Sequence, residues 1–148
     1  MKRIVSMLLV VLSLFTLAGC SSTGGMPEAL TSLAGEPAVA SLTQSLGVTT
    51  DQAIGGIGSI MSLARGKLSA EQFQSLAAAI PQADKYMGAL GGLGIKGSDI
   101  KDAAGLQSAF TKLGMNSDTA SKFLPAVADF AGKSGGETVS SLISGLGV

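Results

Sequence analysis

A short phrase recurs along this chain and sets most of what it can fold into. Leu46-Gly47-Val48-Thr49-Thr50-Asp51-Gln52-Ala53 is answered by Leu113-Gly114-Met115-Asn116-Ser117-Asp118-Thr119-Ala120, and Leu93-Gly94-Ile95 echoes its start. In each, a glycine follows an apolar residue, where the left-handed conformation it tolerates ends a helix. In the two full copies one apolar residue separates that glycine from a Thr or Asn suited to cap the next helix. Helix stop, staple residue and helix start packed this closely are the punctuation of helices joined by tight turns. The chain therefore predicts an all-α domain. The two copies fit an internally duplicated helical hairpin unit, and they fit independent use of the same capping chemistry equally well. They are too few for a solenoid.

Between the stops, apolar residues return at helical spacing. Pro37 suits a first helical position, and Val39, Leu42 and Leu46 share a face before Gly47. Thr49 and Gln52 have capping-box spacing, and the helix they open carries Ala53, Ile57, Ile60, Met61 and Ala64. Gly55, Gly56 and Gly58 lie inside it, each costing about 1 kcal/mol relative to Ala. Close approach of neighbouring helices explains them; a flexible or membrane-contacting segment is the other reading. Ser69 and Gln72 repeat the box, with Leu68 and Phe73 at staple positions and Phe73, Leu76, Ala77 and Ile80 as the stripe. Pro81 ends this helix or opens the next, which runs to Leu90, and Gly91 to Gly94 reads as a hinge between halves. Another helix is expected from about Ser98 to Leu113. Asn116 caps a further one through Phe123 and Phe130, with Pro125 inside it predicting a kink or a break. Ser134 to Glu137 offers a last capping box before Val139, Leu142, Ile143 and Leu146. No stretch alternates with strand period. The expectation is a compact bundle of six or seven short helices over residues 37–148, preceded by a tether over 20–36 in which 27–34 can form one more short helix.

The amino terminus carries a different signal. Met1-Lys2-Arg3 is a charged start, and Ile4 to Leu17 is apolar except for Ser6, Ser13 and Thr16. This is the pattern of an export signal, too short in its strongly apolar part for the ~20 residues a membrane span needs. Leu17-Ala18-Gly19-Cys20 follows and resembles the lipobox of bacterial lipoproteins at all four positions. The resemblance implies that a signal peptidase reads Leu17, Ala18 and Gly19 and cleaves before Cys20. Cys20 would carry a diacylglycerol thioether and an N-acyl chain, and two or more chains give stable attachment where one is marginal. Ser21 stands where an aspartate would retain an enteric-type lipoprotein in the inner membrane. The expected location is thus the outer membrane, lipid-anchored and facing the periplasm.

If residues 1–19 are removed, Lys2 and Arg3 go with them. Ten acidic residues then face eight basic ones, a net charge of about −2 that leaves no electrostatic footprint for nucleic acid. Cys20 is the sole cysteine, so no internal disulfide can form and packing alone must hold the fold. Histidine is absent, which removes Ser-His-Asp and Cys-His catalysis and any imidazole metal site. Asp99 and Asp102 would share a helix face, as paired acids sometimes do in catalysis. But Asp51, Glu71, Asp99, Asp118 and Glu137 fall in predicted first turns, and Arg65, Lys67, Lys112 and Lys133 at predicted helix ends, where helix dipoles reward them. Most charges are thereby structural, and neither catalytic nor metal-ligating residues nor a bound cofactor are expected. The glycines of Gly88 to Gly97 lack the preceding strand and the Gly-Lys-Ser/Thr order of a phosphate-binding loop. The phenylalanines sit on apolar stripes, and Lys85 and Tyr86 are expected to reach solvent.

Leu46-Gly47-Val48, Gln52-Ala53-Ile54-Gly55-Gly56, Leu68-Ser69 with Phe73, and Ile80-Pro81 resemble the bacterial VcgC/VcgE-like domain of unknown function. Phe123-Leu124-Pro125 and Gly135-Gly136 resemble its C-terminal half, so the similarity spans roughly residues 37–146. It implies a helical domain, often exported, with no defined functional residues to carry over. The functional expectation is a non-enzymatic envelope protein that binds an unidentified protein partner or helps organise the envelope. A lipid or small-hydrophobic-ligand carrier using Gly-lined helices is the alternative, and a carboxylate-based hydrolase the remote one.

Overall fold

A computed structural model describes residues 28–146. The chain is all-α. Among the described residues it forms eight α-helices: α1 (Glu28–Leu33), α2 (Pro37–Leu46), α3 (Thr50–Lys67), α4 (Ala70–Ala79), α5 (Ala83–Ala89), α6 (Ala103–Lys112), α7 (Ser117–Gly135) and α8 (Glu137–Ser144). Two 3-10 turns, Leu90–Leu93 and Gly97–Asp99, join α5 to α6.

The bundle is built around α3. Every residue from Ala53 to Met61 is buried, on all faces of the helix. A helix apolar all round belongs at the centre of a fold, and its three glycines explain how the neighbours get close. A Cβ on Gly56 would fall on the Phe123 ring of α7, one on Gly58 on the carbonyl of Tyr86 in α5, and one on Gly55 on the Leu113 methyls after α6. The close-packing explanation of these glycines is therefore the one the fold uses. Phe123 in turn meets Phe110 of α6, ring centroids 5.5 Å apart and tilted by 51°. That tilted arrangement is one that aromatic pairs prefer over a flat sandwich. α2 packs on α3 and α7, and α4 and α8 pack on the outer side of α7.

The repeated phrase is turn chemistry in both full copies. Thr49 accepts from the Gln52 amide while the Gln52 side chain accepts from the Thr49 amide, a complete capping box, and Ser69 with Gln72 does the same for α4. Asn116 caps α7 through the Thr119 amide at 2.7 Å. At Gly94 and Gly114 (φ 72° and 73°) the chain turns left-handed. The next amide then bonds back to the third carbonyl from the helix end, Ile95 to Leu90 at 2.9 Å and Met115 to Phe110 at 3.0 Å. These are Schellman closures, with the residue after the glycine buried. The two full copies also touch: Gln52 Nε2 donates to the Leu113 carbonyl at 3.1 Å.

Several expectations change. The helix allowed over residues 27–34 forms as α1, and its Leu30 and Leu33 are core residues, so the packed domain takes in part of the stretch read as a tether. Gly91 to Gly94, read as a hinge between halves, falls in the 3-10 turn Leu90–Leu93 and its left-handed cap, between buried Leu90 and Ile95. α6 starts at Ala103, not Ser98, because the Asp102 carboxylate caps it through the Gly105 amide at 2.8 Å. α7 runs unbroken through Pro125. Pro125 and Ser121 are exposed, so the carbonyl deprived of its partner faces water. The last capping box does not form. Ser134 is still helical, its hydroxyl donates back to the Phe130 carbonyl, and Gly136 alone (φ 82°) makes the turn to α8. Tyr86, expected at the surface, is fully buried. It lies on the inner side of α5, the helix against which α1 packs.

Candidate functional site

Leu17, Ala18, Gly19, Cys20 and Ser21, the positions read as peptidase recognition, lipidation and sorting, lie outside the described residues. Asp99 and Asp102 do not form the pair read from their spacing. Asp102 is spent as the α6 cap, and Asp99 lies in the 3-10 turn, its carboxylate accepting a long bond from Ser98 at 3.4 Å. Among the described residues no group of His, Cys, Asp and Glu is placed to hold a metal ion, and no helix is long and apolar enough to cross a membrane.

The polar chemistry gathers at two places. The first is a groove of about 430 Å³, open to solvent, between the last turns of α3, α5 and the chain from Gly97 to Lys101. Its walls carry two cations, Arg65 and Lys101, and two hydroxyls, Ser62 and Ser98; Met87 and Ile100 supply apolar surface. α3 places Ser62 and Arg65 because they lie three apart, on one helix face. Gly97 brings the second wall in: a Cβ there would sit 3.0 Å from Ser62 Oγ. Ser59, one turn earlier, donates to the Gly55 carbonyl at 2.7 Å, whereas the Ser62 hydroxyl has no hydrogen-bond partner among the described residues. Arg65 and Lys101 form no ion pair among them either. A second depression on the far side of the Gly97–Asp99 turn adds Lys96 and Lys112, with Asp99 as its one acid. Arg65 also borders a third depression, which contains Asp84.

The second place is the junction of α1–α2 with α4–α5. Gln82 has φ 63°, the one non-glycine residue with positive φ among those described. It is held there by its side chain: the amide donates to the Glu36 carboxylate, and its oxygen accepts from Lys85 Nζ at 2.6 Å. Next to it the Tyr86 hydroxyl is buried with no partner among the described residues. Burial, and then the nearby Glu36 charge, push its pKa well above the usual tyrosine value. No signal in the sequence marks Gln82, since Asn or Gly is the usual residue in that conformation. The meeting of Arg65 with Lys101 is equally invisible, because the two lie on separate elements.

These features define a small all-α domain with a close-packed, glycine-lined centre and polar depressions open to solvent. The chain belongs to the family described as Protein of unknown function VcgC/VcgE (DUF2780), whose model matches residues 25–147. No curated protein and no solved structure gives a significant match.

Proposed function

We propose that this chain is a bacterial lipoprotein, anchored through acylated Cys20 in the outer membrane and facing the periplasm, whose helical domain is a non-enzymatic binding module. The observation that carries the proposal is the Leu17-Ala18-Gly19-Cys20 motif standing a few residues before a packed domain. Seven residues separate Cys20 from Glu28. At the ~3.6 Å per residue of a fully extended chain they reach at most about 30 Å. A domain held that close meets partners at or near the membrane surface. The carrier reading has less support, because the Gly-lined faces of α3 are filled by Phe123, Leu113 and the Tyr86 backbone, leaving no groove there for a ligand.

Two measurements test the reading. Metabolic labelling with palmitate should mark the chain and fail on Cys20→Ala; continued labelling would contradict the anchor. Photo-crosslinking probes at the exposed positions Lys85, Lys101 and Lys122 in intact cells should give a protein adduct from some positions and not others. Co-purified lipid in native mass spectrometry, with no adduct from any position, would instead support the carrier.

A further inference from the structure

We infer that the groove between the last turns of α3 and the Gly97–Lys101 segment is a binding site for a phosphate group. Arg65 and Lys101 supply the counter-charge, and the Ser62 hydroxyl serves as a donor.

The argument starts from charge. The described residues carry eight basic and ten acidic side chains, yet Arg65, Lys96, Lys101 and Lys112 all border the two depressions flanking the Gly97–Asp99 turn. The acids nearby are elsewhere occupied or turned aside. Asp102 is bonded to the Gly105 amide, Asp99 lines the other depression and accepts a long bond from Ser98 at 3.4 Å, and Asp84 lies beyond Arg65. Among the described residues the groove is lined by two cations and no carboxylate. Helix-dipole compensation accounts for Arg65 at the end of α3, but it does not account for Lys101, which belongs to no helix.

The Ser62 hydroxyl is a separate observation. A serine inside a helix can donate back to a carbonyl of the preceding turn, as Ser59, Ser75, Ser121 and Ser144 do, whereas Ser41, Ser62, Ser108, Ser140 and Ser141 make no such bond among the described residues. Ser62 is partly buried and makes no such bond among the described residues, so its donor is free beside Gly97. Arginine offers a planar fork that matches phosphate oxygens, and lysine adds a mobile point charge. Met87 and Ile100 beside these groups suit a phosphate carried on an apolar body better than a bare ion. This last step rests on the proposed anchor, which would hold the groove within reach of phospholipid headgroups; a soluble phosphate ester has the same chemistry.

The test uses the full chain in an uncharged maltoside detergent, followed by amide spectra. Inorganic phosphate, glycerol 3-phosphate and then micelles doped with phosphatidylglycerol are titrated in turn, with chloride as control. Saturable shifts at Ser62, Gly97, Ser98 and Lys101 are expected with a phosphate probe and not with chloride. Arg65→Ala and Lys101→Ala should each weaken binding roughly tenfold, Arg65→Lys should weaken it less, and Lys122→Ala should leave it unchanged. All three side chains are exposed, so unchanged spectra away from the groove will confirm folding. Saturation by inorganic phosphate or glycerol 3-phosphate alone assigns a soluble ester, and a response needing the doped micelle assigns a headgroup; either supports the site. Shifts that match chloride, fail to saturate or survive Arg65→Ala overturn it. The inorganic arm needs no membrane, so it stands if the anchor fails. Conversely, an anchored chain with a crosslinked protein partner and no phosphate response defeats this inference alone.

Discussion

Tyr86 is the residue where burial and chemistry disagree most. Its ring fills the space between α5 and the core, yet its hydroxyl has lost water and gained no partner among the described residues. An unsatisfied buried donor costs about 1–3 kcal/mol. Tyr86→Phe keeps the ring and removes the donor, so it should raise stability by roughly 1 kcal/mol in denaturant unfolding. The same residue sets an alkaline limit. In the unfolded chain the phenol ionises near pH 10, while burial and Glu36 hold the folded value above that. Below about pH 10 both states keep the proton and the contribution is intact. Above it the unfolded state loses the proton first, and stability falls by up to about 1.4 kcal/mol per pH unit from this group. It is the sole tyrosine in the chain, so phenolate absorbance during alkaline titration reports on it alone. An equal alkaline slope in Tyr86→Phe would contradict the assignment. The sequence misplaced this residue for a physical reason. Its exposure depends on α1 packing over α5, and a short helix after Gly24-Gly25 gives no sign of whether it docks.

At the scale of elements, helices and their ends were legible and their close approaches were not. Capping boxes at Thr49 and Ser69, the cap at Asn116 and the stops at Gly47, Gly94 and Gly114 all follow from local backbone chemistry that a sequence displays directly. Ser134 failed as a cap because continuing α7 for one more turn satisfies the same groups, a competition that local rules do not decide. The glycines of α3 were readable as close packing, but which partner meets which glycine is tertiary information. It makes a paired prediction possible. Gly58→Ala gains helix propensity, about 1 kcal/mol, but drives a Cβ onto the Tyr86 backbone carbonyl, which cannot step aside as a side chain can. Overpacking of this kind costs about 1–3 kcal/mol or more, so the net effect should be a clear loss of stability. Gly88→Ala, inside α5 and facing open space, receives the propensity without the collision and should be stabilising by up to about 1 kcal/mol. Thermal unfolding of the two variants should move in opposite directions. Equal stabilisation would mean that α3 and α5 are not in contact at Gly58. The groove follows the same division. Its residues are ordinary one by one, and Lys96-Gly97-Ser98 does not carry the order of a phosphate-binding loop. What the sequence did not show is that Arg65, on α3, arrives beside Ser98 and Lys101.

At the scale of the molecule, the question is where the domain begins. α1 has six residues, far fewer than the ~12–15 an isolated helix needs in water. It exists because Leu30 and Leu33 are buried and because Glu36, just after it, accepts from Gln82 across the α4–α5 turn. Two buried leucines contribute about 1.5–3 kcal/mol each, against which stand the left-handed Gln82 and the unpaired Tyr86 hydroxyl beneath. On the proposed anchoring, any pull from the membrane enters the domain through α1, so the strength of this contact decides whether the domain stays closed when tethered. Leu33→Ala tests it. If α1 were an appendage of the tether, the change would cost almost nothing; as part of the core it should cost about 2–5 kcal/mol. Hydrogen exchange should locate the loss, with amides of α5 around Tyr86 losing protection first while α7 and α8, which share no extensive contact with α1, change least. Uniform loss across all helices would show that α1 unfolds only with the whole bundle, which makes it as much a part of the cooperative unit as α3.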